Sequence, residues 1–291
     1  MSDASRRWLE LSVRCPSVEE SIPLLAEGLV DVAGRAAVEQ DGWCVTHVRE
    51  PDDPEAFVTD VRDALVAMTG LADLELRTRW QAHEDWAETW KRGLAPRRIT
   101  DRLVVRPSWT DFRAGPEDLV IVLDPGMAFG TAEHGTTRGC LRLLDRAVSP
   151  GDRLLDVGAG SGILSVAAVL LGAAHVTAVE SDELSAEALH ANLQNNGGTD
   201  RVAVLIEWAD AEKLEAWGPV DGLVANLETG LLRPLIGGFR AAVRPGGWLV
   251  LSGILDHECD ELREETEQLG FTCRAIDRDG EWRSLLFDST G

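Results

Sequence analysis

The segment Asp156-Val-Gly158-Ala-Gly160-Ser-Gly162 lies between an apolar run, Leu154 to Val157, and a helix-like stretch from Gly162 to Leu171. Glycines at this spacing give a tight turn and let backbone lie against a ligand that a Cβ would exclude. The helix N-terminus behind them favours an anionic group, such as the carboxylate of an amino acid. The next apolar strand, His175 to Val179, is followed at once by Glu180. A carboxylate there can accept hydrogen bonds from both hydroxyls of a ribose. A later strand, Gly222 to Ala225, ends in Asn226, whose amide offers an acceptor and a donor at the same rim. Gly158, Gly160 and Glu180 are therefore expected to bind a ribose-bearing cofactor, and Asn226 to face it.

Other readings of the glycine loop fail on particular residues. A dinucleotide fingerprint needs a glycine where Ile163 stands, whereas the glycine at Gly162 fits the G-x-G-x-G loop of methyltransferases. A phosphate-binding P-loop would end in Gly-Lys-Ser/Thr, and a hydrolase elbow would need glycine in place of Ala159. No His shows metal-ligand spacing to another His or Cys, so no metal is expected. The loop Asp124 to Thr137, rich in Gly and Thr, can fold over a ligand, with Thr136 or Thr137 capping the helix that follows. His134 is a candidate proton acceptor, and Glu133 reads as a solvated loop residue. Enzymes that methylate bases or glutamine often carry Asn-Pro-Pro-Tyr at the Asn226 position. Leu227-Glu228 stand there instead, and the chain has no tyrosine, so base methylation is not expected.

The elements that must position these residues fall into two patterns. Leu9, Leu11 and Val13 alternate as in a half-buried strand, and Ser17-Val-Glu-Glu20 opens a helix toward Val32. Asp41-Gly42 marks a hairpin between Ala36–Gln40 and Trp43–Val48. Asp53-Pro54 starts a second helix with Phe57, Val61, Leu65 and Met68 on its apolar face and Gly70 at its end, and Leu74, Leu76 and Thr78 make a last strand. The order βαββαβ predicts a ferredoxin-like α+β domain over residues 1–80. Residues 81–101 read as a linker, helical from Glu84 to Leu94 with Trp86 and Trp90 on one stripe. Residues 102–291 alternate strands with helices (helix Leu231 to Val243 among them) and close on a hairpin at Asp279-Gly280. That pattern predicts an α/β fold, a doubly wound, mostly parallel sheet with antiparallel strands at one edge.

Bulk composition narrows the partners. The formal net charge is −22. Such a surface repels phosphates, so direct nucleic-acid binding is not expected, while a basic protein would be attracted. The longest apolar stretch, Val166 to Ala174, is too short to cross a membrane. Five scattered cysteines without C-x-x-C spacing suit a reducing cytoplasm.

Taken together, several segments resemble the PrmA-type methyltransferases, which modify the eleventh protein of the large ribosomal subunit. They are Asp124-Pro-Gly-Met-Ala-Phe-Gly-Thr131 with His134 and Thr136-Thr137, Asp156 to Leu164, Val224-Ala-Asn-Leu227 and Leu251-Ser-Gly-Ile254. Asp85-Trp86, Trp90, Arg106-Pro-Ser-Trp109 and Glu281-Trp282 extend the likeness over the whole chain. The resemblance implies a class I (Rossmann-like) domain using S-adenosyl-L-methionine, preceded by a substrate-recognition domain, that methylates lysine and N-terminal amines of a basic ribosomal protein. It places cofactor contacts on Thr137, Gly158, Glu180 and Asn226, and Asn226 is also expected to orient the reacting amine. Methylation of another basic protein or a small amine, or a non-catalytic cofactor-binding module, are the alternatives to be tested.

Overall fold

The computed structural model describes residues 7–18, 21, 25–26, 28–29, 37–40, 42–51, 53–82, 95–124, 130 and 132–290. The chain divides into two compact units, Met1–Leu94 and Ala95–Gly291.

In the first unit, strands β1 (Arg7–Arg14), β2 (Ala37–Gln40), β3 (Trp43–Arg49) and β4 (Glu75–Ala82) form an antiparallel sheet in the order β2-β3-β1-β4, the ferredoxin-like arrangement. Alternation along β1 buries Leu9, Leu11 and Val13 on one face. Leu11 and Val13 share a core with Cys44, Leu25 and Leu29 (both helical), and Val61 and Leu65 of helix α1 (Pro54–Thr69). Asp53 caps α1 by accepting from Glu55 and Ala56 N–H, and Gly70 ends it in the left-handed region at φ 71°. Gln40 pairs with Trp43 at the end of the β2–β3 ladder. Met68, expected on the apolar face, is 50% exposed, because it lies in the last turn before Gly70, beyond the packed stripe. Most of the expected first helix (residues 19, 20, 22–24, 27 and 30–32) and the linker helix with Trp86 and Trp90 lie outside the described residues.

The second unit opens with a small sheet in which β5 (Arg97–Arg98) pairs antiparallel with β6 (Leu103–Arg106), and β6 pairs parallel with β7 (Leu119–Val122). This sheet is not hydrogen-bonded to the main one, but Leu103, Val105 and Ile121 pack into the same core. The main sheet orders seven strands as β10-β9-β8-β11-β12-β14-β13. They are β8 (Arg153–Val157), β9 (His175–Glu180), β10 (Val202–Ile206), β11 (Val220–Asn226), β12 (Val243–Leu255), β13 (Phe271–Asp279) and β14 (Trp282–Ser289). The first five in spatial order are parallel, and the hairpin β13–β14 adds antiparallel strands at one edge.

Consecutive strand residues point to opposite faces, and both faces are covered. Leu154, Val224 and Val250 pack with Leu141 and Leu144 of α2 (Gly135–Ala147), Ile163 and Val166 of α3 (Ile163–Leu171), and Leu189 of α4 (Glu183–Asn195). Leu155, Leu223 and Leu249 pack on the other side with Leu214 of α5 (Ala211–Trp217), Leu232 of α6 (Thr229–Leu232), Phe239 of α7 (Ile236–Ala242) and Leu262 of α8 (Cys259–Gln268).

Two details differ from the sequence reading. The single helix expected over Leu231–Val243 is broken into α6, a 3-10 turn Arg233–Leu235 and α7, since Pro234 has no N–H to continue the helical ladder. Helix α5 was not anticipated. It is seven residues long and buries only Leu214, which leaves no periodic stripe to read.

Candidate active site

The glycine loop joins β8 to α3 with φ of 75°, 53° and 79° at Gly158, Gly160 and Gly162, values that side-chain-bearing residues rarely adopt. Gly158 and Ala159 N–H both donate to the Val179 carbonyl, tying the loop to the end of β9. Ser161 Oγ donates to Gly130 O at 2.7 Å, and Asn192 Nδ2 donates to Ser161 O at 2.9 Å. A Cβ on Gly158 would push on the Leu227 side chain and would be strained at φ 75°, so glycine lets the loops after β8 and β11 approach closely.

Glu180 ends β9 and is nearly buried. Its Oε2 accepts from Gly160 N–H at 2.8 Å, and its Oε1 from Ser181 and Asp182 N–H at 2.8 and 2.9 Å. An ionised carboxylate has about four acceptor positions, so one on Oε2 is left for a ligand. Asp156, at the other end of the same loop, is fully buried. Burial pushes its carboxyl up to about 7, against the Ser165 hydroxyl that donates to Oδ2 at 2.6 Å.

Asn226 ends β11. Its amide takes no side-chain hydrogen bond among the described residues, so donor and acceptor are both available. The turn behind it is fixed: Leu227 N–H donates to Ser252 O at 3.1 Å, and Thr229 Oγ donates to Glu258 Oε2 at 2.8 Å. Gly253, at φ 88°, passes so close to Leu227 O that no side chain fits.

A cavity of about 630 Å³ opens along these strand ends, a size usual for small-molecule sites. Gly158, Gly160, Glu180, Asn226 and His134 line it, and the sequence reading is thus brought together at one place. Thr137 is different. It is completely buried one residue behind Thr136, which is the threonine on the cavity wall. Thr137 Oγ1 has no partner among the described residues. Neither threonine caps α2, because the helix begins at Gly135 with His134 as the cap residue. Glu133 is exposed and pairs with Arg97 at 2.7 Å, away from the cavity.

His134 Nδ1 lies 2.7 Å from Thr136 Oγ1, and its ring is 4.9 Å from that of Trp282. Burial, then the Arg138 guanidinium, hold the imidazole below its ordinary range, so it is mainly neutral at pH 7. Trp208, Glu228 and Trp282 also line the cavity and were not singled out as site residues. For Trp282 the closing Glu-Trp pair was a signal. Trp208, 70% exposed just past β10, offered only an isolated aromatic in a loop.

The geometry fits S-adenosylmethionine: a glycine cradle at a helix start, a carboxylate with one acceptor position left for a ribose, and, among the described residues, an open amide line one cavity. No cluster of His, Cys, Asp or Glu among the described residues could hold a metal ion. No described helix is long and apolar enough to cross a membrane.

Comparison with known proteins agrees. The family model described as "Ribosomal protein L11 methyltransferase (PrmA)" matches residues 32–290. A ribosomal protein L11 methyltransferase of Streptococcus pneumoniae is 34% identical over 98% of this chain and 91% of its own. One from Pelotomaculum thermopropionicum is 34% identical over 96% and 97%. The crystal structure of a ribosomal protein L11 methylase from Lactobacillus delbrueckii subsp. bulgaricus superposes with a TM-score of 0.61 at 27% identity, covering 67% of this chain and 99% of that one.

Proposed function

Because the chain belongs to the PrmA family of ribosomal protein L11 methyltransferases, we propose that it methylates lysine and N-terminal amines of ribosomal protein L11 with S-adenosyl-L-methionine, and that Asn226 orients the amine. The observation that carries this reading is the Asn226 amide, without a side-chain partner among the described residues, on the same cavity as the glycine loop and Glu180.

When bound, the cofactor supplies a methyl group on a sulfonium that departs as a neutral thioether. The protein's part is alignment, which can be worth roughly 7–11 kcal/mol when well realised. Gly158 and Gly160 would hold the amino-acid end against backbone, and the free position on Glu180 Oε2 would take a ribose hydroxyl, whereas Thr137, buried behind the cavity wall, would support that wall rather than touch the cofactor. The Asn226 carbonyl accepts a hydrogen from the amine and aims its lone pair.

An ammonium cannot attack. Deprotonating a lysine of pKa about 10.4 at pH 7 costs roughly 4–5 kcal/mol at about 1.36 per unit. The apolar walls around Leu227, Leu231 and Leu235 lower this cost by disfavouring the charge, and His134, neutral at pH 7, accepts the proton.

The first unit brings no catalytic motif, so its role is to bind the substrate and raise its local concentration. The net charge of −22 suits a basic partner, and scattered cysteines suit the cytoplasm. The test is methylation of L11 by the wild type and by Asn226→Ala. Turnover should fall further than cofactor affinity does, whereas equal losses would make Asn226 a cofactor ligand only.

A further inference from the structure

The cavity wall carries three carboxylates, Glu180, Glu207 and Glu228, and no Lys or Arg among the described residues. Two of the three are engaged. Glu180 accepts three backbone hydrogen bonds, and Glu207 pairs with Lys213 at 2.8 Å. Glu228 has no side-chain partner among the described residues. It occupies the cap position of α6 without using its carboxylate for capping, although its carbonyl accepts from Leu231 and Leu232 N–H.

Its place is fixed nonetheless. The bond from Leu227 N–H to Ser252 O, the close passage of Gly253 and the clamp from Thr229 to Glu258 hold the backbone on both sides. Glu228 is two residues past Asn226, within about 7 Å along the chain. Glu207 and Trp208 follow β10, which β9 and β8 separate from β11. At about 4.8 Å per strand, the two ends of the cavity are roughly 14 Å apart. The ribose carboxylate Glu180 lies toward the β10 end, and Glu228 lies at the other, with Asn226.

We propose that Glu228 is the substrate-binding carboxylate that holds the target amine in its cationic forms at the rim beside Asn226. The inference rests on the methyltransferase reading above. Before each transfer the amine is an ammonium, and after one or two transfers it is a protonated methylammonium, so every form that waits to react carries the charge Glu228 attracts. The same contact retains partly methylated side chains for the next transfer. Leu231, 47% exposed one turn further on, offers the aliphatic stem of a lysine an apolar surface.

The experiment measures initial rates with recombinant unmethylated L11 as substrate for wild type, Glu228→Gln and Glu228→Asp at several salt concentrations, with cofactor affinity by calorimetry. Loss of one exposed charge contact should raise KM for L11 by about two- to fivefold with kcat changed by less than about twofold. KM should also lose much of its salt dependence, Glu228→Asp should recover most of the wild-type value, and the trimethylated fraction at early times should drop. An unchanged KM in Glu228→Gln overturns the proposal. So does a weakened cofactor affinity that accounts for the whole defect, which would make Glu228 a ligand of the cofactor. A wild-type protein that binds the cofactor yet forms no product with L11 overturns the substrate reading itself, a separate failure.

Discussion

Glu180→Gln replaces a carboxylate whose two oxygens already accept three backbone hydrogen bonds, at 2.8, 2.8 and 2.9 Å. In either flip, the glutamine NH2 must face at least one backbone N–H: Gly160 on one side, Ser181 and Asp182 on the other. The variant therefore loses the charge and turns one acceptor into a clashing donor. A hydrogen bond to a charged group is worth about 1.5–3 kcal/mol, so losing the single Oε2 position left for a ribose hydroxyl should weaken cofactor binding roughly 10- to 150-fold. Displacement of Gly160 adds to this, and the melting temperature should fall as well. The assay is titration calorimetry with S-adenosylmethionine and S-adenosylhomocysteine, with circular dichroism as folding control. Glu180→Ala, which leaves room for water to meet the three N–H groups, should lose affinity with a smaller fall in melting temperature. A folded Glu180→Gln protein with affinity unchanged within about twofold would refute the reasoning, because a 1.5 kcal/mol loss alone exceeds that.

Gly253→Ala introduces a Cβ against Leu227 O at φ 88°, and should cost about 1–3 kcal/mol of stability and lower turnover by moving Asn226; full turnover in the variant would argue that the turn adapts freely. Asp156, pushed by burial from 3.8 to about 7, keeps a proton in the folded state that the unfolded chain releases between those values. Its contribution to stability therefore grows as pH falls from about 7 toward 4, and denaturation curves of Asp156→Asn should lack that gain. Arg142 donates to Asp277 at 2.6 and 2.8 Å and to Asp279 at 2.9 Å, joining α2 to β13. Arg142→Ala should lose about 1.5–3 kcal/mol in urea unfolding. Hydrogen bonding from Arg138, then from Arg142, holds Asp279 near 2 against burial, so its share is present above about 3.8 and is lost as pH falls through about 2. A variant as stable as wild type at neutral pH would show that the network adds nothing.

The parts of the site that were legible in the sequence are those fixed by the end of a strand. Gly158, Glu180 and Asn226 each follow an apolar run directly, and strand ends of a parallel sheet converge on one rim whatever the details of packing. What depends on helix phase was less legible. Starting α2 at Gly135 rather than after a threonine cap turns the helix by about a third of a turn per residue, which decides that Thr136 faces the cavity and Thr137 the interior. Trp208, Glu228 and Trp282 come from segments far apart in sequence, and only the assembled sheet brings them to one cavity. The break at Pro234 could have been read from the proline alone, whereas α5 has too few buried residues to leave a pattern.

The central claim is that this cavity transfers methyl groups to amines of ribosomal protein L11. The direct measurement incubates the purified full chain with methyl-labelled S-adenosylmethionine and unmethylated large-subunit proteins, and follows label and mass of each protein. The account predicts label on L11 in amine-linked methyl groups with wild-type protein, and little with Asn226→Ala at saturating cofactor. Label confined to other proteins, or equal labelling of L11 by wild type and Asn226→Ala, would contradict it.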